Sequence, residues 1–167
     1  FPMLALARVQ DKFPRLYRLL VSYRESKGCK IIHKGGAMRQ LLRGLKQGDV
    51  VGIVGDQANR QGQPMEFYGR VAMFATGPFE LARSTGAVVI PGFAHRVRGP
   101  YHRIVLEPGI DVRALPGDPE AQVRAGIERF AEAMRRHIDR SPSMWLWMHK
   151  RWKHTPTRRV VVLSDGK

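Results

Sequence analysis

Three short apolar runs, alternating with two stretches of helical periodicity, constrain this chain more than any other feature. Pro2 to Val9 reads as a strand. From Lys12, the apolar residues Phe13, Leu16, Tyr17, Leu20 and Val21 recur at intervals of three and four, which marks one face of an amphipathic helix stopping near Gly28. Cys29 to His33 reads as a second strand. Ala37, Met38, Leu41, Leu42 and Leu45 then repeat the helical spacing up to Gly48, a residue suited to a left-handed stop. Val50 to Val54 follows as a third strand. Its nearly continuous Val and Ile content predicts burial on both faces of a parallel sheet, as alternating strands and helices require.

Downstream the pattern loosens. The polar segment from Asp56 to Met73 has little periodicity and is long for a connection, which usually takes about 4–6 residues. Phe79, Leu81 and Ala82 ride a short helix stopped by Gly86, and Ala87 to His95 reads as a fourth strand. Arg98-Gly99-Pro100 turns the chain so that Tyr101 to Glu107 pairs back antiparallel as an edge hairpin. A Pro/Gly-rich link, Pro108 to Pro119, leads to a helix marked by Val123, Ile127, Phe130, Met134 and Ile138. The predicted class is a three-layer α/β domain over residues 1–153, a mostly parallel sheet flanked by helices. Residues 154–167 form a basic and then apolar tail, read as an edge strand or an appended segment. No internal repeat, low-complexity segment or second domain is legible. Because the chain opens on Phe1 in what reads as the inside of a fold, an upstream part is expected.

Composition narrows the partners. The 29 lysines and arginines exceed the 14 acidic residues by 15, a surplus that points to anionic partners such as phospholipid head groups, an acidic carrier protein or nucleic acid. The single cysteine, Cys29, excludes an internal disulfide and fits a reducing compartment; it reads as a small apolar strand residue. Neither histidine clusters nor carboxylate pairs have ligand spacing, so no metal is implied. The apolar run Ala87 to Ala94 is interrupted by Pro91 and Gly92 and is far short of the roughly 20 residues of a spanning helix.

In open α/β sheets, ligands bind outside the carboxyl ends of the strands. Asp56, Gln57, Asn59 and Arg60 follow the third strand directly, so carboxylate, amides and guanidinium reach one crevice. Such a set suits an anionic or hydroxyl-rich substrate, since arginine binds phosphate bidentately and aspartate accepts from hydroxyls. The competing reading, in which Asp56 caps a turn and Arg60 is solvated, stays open on these residues alone.

The run "GDQANRQGQPMEFYGRVAMFATGPFELARSTGAVVIPGF" resembles the lauroyl/myristoyl acyltransferases of lipid A biosynthesis, relatives of the glycerolipid acyltransferases. The likeness rests on Gly55-Asp56-Gln57 at the strand end, Phe67-Tyr68-Gly69, Thr76-Gly77, Leu81-Ala82 and Thr85-Gly86-Ala87 leading into "VVIPGF". The tryptophan-rich "WLWMHKRWK", Trp145 to Lys153, carries it to the end, so the resemblance runs from about Arg8 to Lys153. It implies transfer of a fatty acyl chain from acyl carrier protein, or coenzyme A, to a hydroxyl of a phosphorylated glucosamine lipid. Those thioesters are co-substrates, and no cofactor is implied.

The family uses a His-x4-Asp/Glu motif as general base. Among the six histidines only His102 has an acid five positions on, in "HRIVLE", and residues five apart on a strand face opposite ways, so His102 and Glu107 are rejected as the pair. The dyad is expected upstream of Phe1, which leaves no catalytic residue in this chain and no transferase activity if it is whole. The resemblance also implies an active-site arginine at Arg8, although Val9 stands where the family usually has proline. Arg8 and the loop from Asp56 to Arg70 are expected to line the acceptor site.

Trp145, Trp147 and Trp152 lie among His149, Lys150, Arg151 and Lys153. That mixture suits a bilayer interface, yet the favoured reading packs Trp145 and Trp152, seven apart on a helix, against the sheet with the basic residues in water. His149 reads as a structural hydrogen-bonding residue. A nucleic-acid binder is disfavoured because Arg39, Arg43, Lys46, Arg124, Arg135 and Arg136 are scattered and no nucleic-acid motif accompanies them. A non-catalytic lipid-binding relative is the other alternative. The expected setting is peripheral, at the cytoplasmic face of a bacterial inner membrane.

Overall fold

The computed structural model of the chain describes residues 3–7, 12–33 and 37–155. Arg8 and residues 156–167 of the tail, both singled out above, lie outside the described residues. The class is α/β, as predicted. Strand β1 (Met3–Ala7) lies between β2 (Cys29–His33) and β3 (Val50–Gly52), all parallel, with Met3 in register with both Cys29 and Val50. Helix α1 (Pro14–Glu25) connects β1 to β2, and α2 (Ala37–Lys46) returns the chain across to β3. Strand order therefore reverses beside β1, which makes the β1/β3 edge a topological switch point. Gly48 closes α2 with φ +86°, a left-handed conformation that a side chain would strain.

The parallel ladder stops at these three strands. The polar stretch read as a long loop contains a hairpin, β4 (Gln63–Phe67) and β5 (Arg70–Phe74). Its signal was alternation: Met65 and Phe67 turn inward while Pro64 and Glu66 face out. Tyr68 and Gly69 make the two-residue turn, both at positive φ (56° and 69°). Tyr68 is held there by a 2.5 Å hydrogen bond from its hydroxyl to Asp139 Oδ1, and burial followed by that bond pushes the phenol well above its ordinary range.

After α3 (Gly77–Thr85), the predicted strand from Ala87 to His95 begins later than expected, as β6 (Gly92–Arg98). Pro91 has no N–H to donate, so the ladder breaks there and only Val89 bridges, to Ile110, before it. Strand β7 (Tyr101–Leu106) pairs back on β6 antiparallel, as the turn predicted. The link after it is anchored by buried Ile110, Val112 and Leu115. Helix α4 (Pro119–Arg140) starts where Asp118 accepts a 2.8 Å bond from the Ala121 N–H and Pro119 pre-sets the first turn.

The main core lies between α4, α3 and the β4–β5 hairpin, with Phe74, Phe79, Ile127 and Met134 at its centre. A smaller cluster of Leu4, Ile32, Ala37, Leu41 and Leu81 ties the parallel sheet to α2 and α3. The tryptophan segment is not the predicted helix. A single 3-10 turn, Pro142–Met144, gives way to successive turns through His154. Among the described residues no helix is long and apolar enough to cross a membrane.

Candidate functional site

A cavity of about 800 Å³ opens at the carboxyl end of β3. That volume lies within the range of about 300–1,000 Å³ typical of small-molecule pockets. Its walls explain a failed expectation. Val50 and Val54, predicted to be buried on both faces of the sheet, line it together with Val88, Ile90 and Leu106, and these five are between 50 % and 67 % exposed. Residues branched and apolar enough for a core here face an open hollow. Phe130, Met134 and Ile138 of α4 form the opposite wall with Trp145. Gly55 permits this approach, because a Cβ on it would meet the Phe130 ring at 2.9 Å.

Asp56, immediately after Gly55, lines the cavity and has one carboxylate oxygen, Oδ1, buried without a hydrogen-bond partner. The side chain electrostatically linked to it is Arg151, which is 1 % exposed. The Arg151 guanidinium lies 4.0 Å above the Phe74 ring and donates through Nη1 to the Met73 carbonyl at 2.7 Å, while Nε and Nη2 have no partner. Burial lowers its pKa to about 10 and the Asp56 charge pulls the other way, so it remains a cation at neutral pH. This overturns the water-facing reading for Arg151, whereas Lys150 and Lys153 are exposed as expected. A buried arginine over aromatic rings is signalled only weakly in sequence, by its place between Trp145 and Trp152.

The other described sequence candidates lie outside the cavity wall. Gln57, Asn59 and Arg60 are exposed on the loop after Asp56, and the Asn59 side-chain oxygen accepts from the Gln61 N–H at 3.1 Å. Arg70 opens β5 with its guanidinium 5.4 Å from the Trp152 ring, a cation–π contact. Asp56 reaches the cavity wall; these four do not line it. The position of Arg8 lies outside the described residues.

The tryptophan-rich segment works as a clasp. His149 Nε2 accepts from the Ala58 N–H at 3.1 Å, as expected of a structural histidine, and fixes the loop beyond Asp56. Trp152 Nε1 donates to the Phe67 carbonyl at 3.2 Å, and Thr155 Oγ1 to the Val71 carbonyl at 2.6 Å. Trp145 and Trp152 pack on the main core, as favoured from sequence, whereas Leu146, Trp147 and Met148 remain exposed.

Sequence reasoning missed a second polar group. Glu107 does not meet His102, whose Nδ1 lies 3.0 Å from the Pro100 carbonyl. It holds His137 Nε2 at 2.7 Å and Arg136 Nη2 at 2.8 Å, and His137 Nδ1 lies 2.8 Å from His95 Nε2. These bonds, His137 first, keep the Glu107 carboxyl below its usual range. His95 and His137 both line the cavity. Three positions spread over 42 residues carry no spacing signature, which is why the group was invisible. Among the described residues no cluster of ligating side chains could hold a metal ion.

Residues 1–154 match the sequence profile described as bacterial lipid A biosynthesis acyltransferase. The phosphatidylinositol mannoside acyltransferase of Mycobacterium tuberculosis (strain CDC 1551 / Oshkosh) is 28 % identical over 142 residues, covering 82 % of this chain and 43 % of that protein. The protein of the same name from Mycolicibacterium smegmatis is 28 % identical over 157 residues, covering 91 % of this chain and 47 % of that protein. The chain therefore spans less than half the length of these curated relatives.

Proposed function

Because this chain belongs to the bacterial lipid A biosynthesis acyltransferase family, we propose that it serves O-acyl transfer from an acyl thioester to a hydroxyl of a phosphorylated glycolipid. The observation that carries this is the apolar hollow at the carboxyl end of β3 with Asp56 in its wall. Each methylene taken up by such a wall contributes about 0.8 kcal/mol, so an acyl chain is the ligand class that its exposed valines and leucine suit best. In this reading the donor is acyl carrier protein or coenzyme A, and no cofactor takes part.

The chemistry is ester-for-thioester exchange. The acceptor oxygen forms a bond to the thioester carbonyl carbon, the carbon–sulfur bond breaks, and the hydroxyl proton ends on the leaving thiolate by way of a base. In this reading that base is a His-x4-Asp/Glu dyad, a role that His102 and Glu107 do not fill because they do not meet. Asp56, Gln57, Asn59, Arg60 and Arg70, with Arg8 next after β1, form the acceptor rim in this proposal: cations for phosphate, Asp56 for a hydroxyl. The surplus of basic residues and the exposed Leu146, Trp147 and Met148 support a peripheral site at an anionic cytoplasmic leaflet.

A second acceptor has its own support. The relatives named above are phosphatidylinositol mannoside acyltransferases, so a mannosylated inositol phospholipid stands beside the lipid A precursor. The protein, given a radiolabelled acyl thioester and each acceptor in turn, distinguishes them by which lipid gains the acyl chain. Asp56→Ala and Arg8→Ala are expected to lower turnover more than they lower folding stability. Wild-type turnover in either variant removes that residue from the site. If the protein transfers to neither acceptor but binds anionic liposomes, the non-catalytic relative is the better reading. Tight oligonucleotide binding at physiological salt would overturn both.

A further inference from the structure

His95, His137 and Glu107 join β6, α4 and the end of β7 in one hydrogen-bonded line that ends at the cavity. Its parts are well held. His137 is 5 % exposed and stacks on Phe93 at 4.0 Å with the rings 14° apart. Glu107 is gripped from a second side by Arg136. None of the three is used by the transfer chemistry above.

Proton positions follow from the donor and acceptor inventory. An ionised carboxylate only accepts, so His137 Nε2 carries a hydrogen and donates to Glu107. With His137 neutral, its Nδ1 has a lone pair and accepts from His95 Nε2–H. His95 is then left with a bare Nδ1. Glu107 thus sets the tautomer of both rings, and His95 has a lone pair rather than a hydrogen at its remaining nitrogen.

We propose that His95 is a head-group subsite of the cavity, oriented by His137 and Glu107 as positioning residues, that accepts a hydrogen bond from the hydroxyl of an apolar ligand. The proposal rests on the cavity being the ligand site. It also sets what happens on acidification. A proton taken up at Nδ1 turns His95 into a donor there, and the hydrogen on Nε2 can pass to His137 Nδ1, which moves the positive charge next to Glu107. The subsite then prefers an acceptor such as a carboxylate.

The charges around the pair act in both directions. Glu107 favours the extra proton. Arg136, which also approaches Glu132, Arg140 on the same helix and Arg103 opposite His95 in the hairpin disfavour it. Burial, His137 and Arg140 all hold His95 below the ordinary histidine range. The hydroxyl-accepting form therefore prevails at neutral pH.

The test compares two probes with one chain length, dodecanol and dodecanoate, by calorimetric titration of the 167-residue chain at about pH 8 and about pH 5.5. At the higher pH the alcohol is expected to bind about tenfold more tightly than the carboxylate, the worth of one hydrogen bond gained or refused. At the lower pH that preference shrinks or reverses. His95→Ala is expected to abolish both the preference and its pH dependence while each probe still binds. Glu107→Gln should collapse the preference at high pH, and Glu107→Asp should restore part of it, which a merely structural role would not do. Urea midpoints of the variants check that they fold. If both probes bind and His95→Ala changes neither ratio nor pH dependence, the subsite is refuted and the cavity reading survives. If neither probe binds the unaltered chain, the cavity reading fails and the subsite falls with it.

Discussion

The two polar groups tied to the cavity differ in how completely they are satisfied. At the β3 end, Asp56 Oδ1 and two nitrogens of Arg151 are buried without partners. At the β6–α4 end, Glu107 and His137 hold hydrogen bonds of 2.7–2.8 Å, passed on to His95. Both contain a carboxylate and a cation or potential cation, so charge alone does not distinguish them. What differs is preparation. The first group holds opposite charges away from solvent and leaves part of their hydrogen-bonding capacity without a protein partner. The second has spent its capacity internally to fix one lone pair on one ring.

Removing a charge should therefore act differently at the two ends, and the largest effect belongs to Arg151. Arg151→Met keeps much of the volume over Phe74 but deletes the bond to the Met73 carbonyl and leaves Asp56 without its counter-charge. Losing a buried hydrogen bond to a charged donor in this way costs about 1.5–3 kcal/mol, expected as a clear fall in the urea midpoint. A change under about 1 kcal/mol would mean that Arg151 behaves as a surface cation and the comparison fails. Trp152→Phe is milder. It keeps the ring near Phe67 and removes one donor to the Phe67 carbonyl, so a loss of about 1 kcal/mol is expected. Chain-clasp coupling is checked by proteolysis: trypsin should cut at Arg60 sooner in both variants than in the unaltered chain.

The unequal legibility of the two ends has a physical origin. Helices α2 and α4 were readable because their apolar residues repeat with the helical period and bury one face. The α1 pattern was equally clear, yet none of its residues is buried and Leu16, Leu19 and Tyr23 are exposed. Periodicity reports which face is apolar, not what covers it. The β3 valines misled in the same way, since a strand bordering a hollow has the composition of one inside a core. That Asp56 borders the crevice at the strand end was legible because a carboxylate straight after an apolar strand is local in sequence. Arg151 and the Glu107–His137–His95 line were not, because each depends on residues brought together over 30 to 95 positions, and a sequence records no such distance. The rejection of His102 held for a local reason, the period of two along a strand, while the true partner of Glu107 lay on another element.

Acid should separate the ends next. His95 binds a proton less readily in the folded chain than in the unfolded one, so the unfolded state holds more protons between the two values and stability rises with pH there. Its contribution is full above the ordinary histidine range near pH 6.5 and is lost as pH falls below it. Glu107, also lowered, contributes fully above its ordinary value of 4.5 and loses that as pH falls through its folded value. Urea midpoints measured against pH should thus decline in two successive windows. His95→Gln should flatten the upper window, and Glu107→Gln should remove the lower window and deepen the upper one, because Glu107 favours the proton on the pair. A single window in the unaltered chain would show that the two groups titrate as one.

The smallest effect is expected where a charge pair resembles the others on paper and differs only in exposure. Arg135 and Glu132 sit one turn apart on α4 in direct contact, with side chains 43 % and 48 % exposed. Water competes for both ions, holding two long side chains together costs rotamer entropy, and salt screens what remains. The bond raises the pKa of Arg135, but a guanidinium is charged throughout the accessible pH range either way, so that shift has no consequence for stability near neutrality. Arg135→Ala should accordingly leave the urea midpoint within the scatter of the measurement at both low and moderate salt, and leave alcohol binding unchanged. The contrast with Arg151→Met isolates the variable, because the same cation is deleted in both. If Arg135→Ala proved as damaging as the buried substitution, desolvation would not be what sets Arg151 apart.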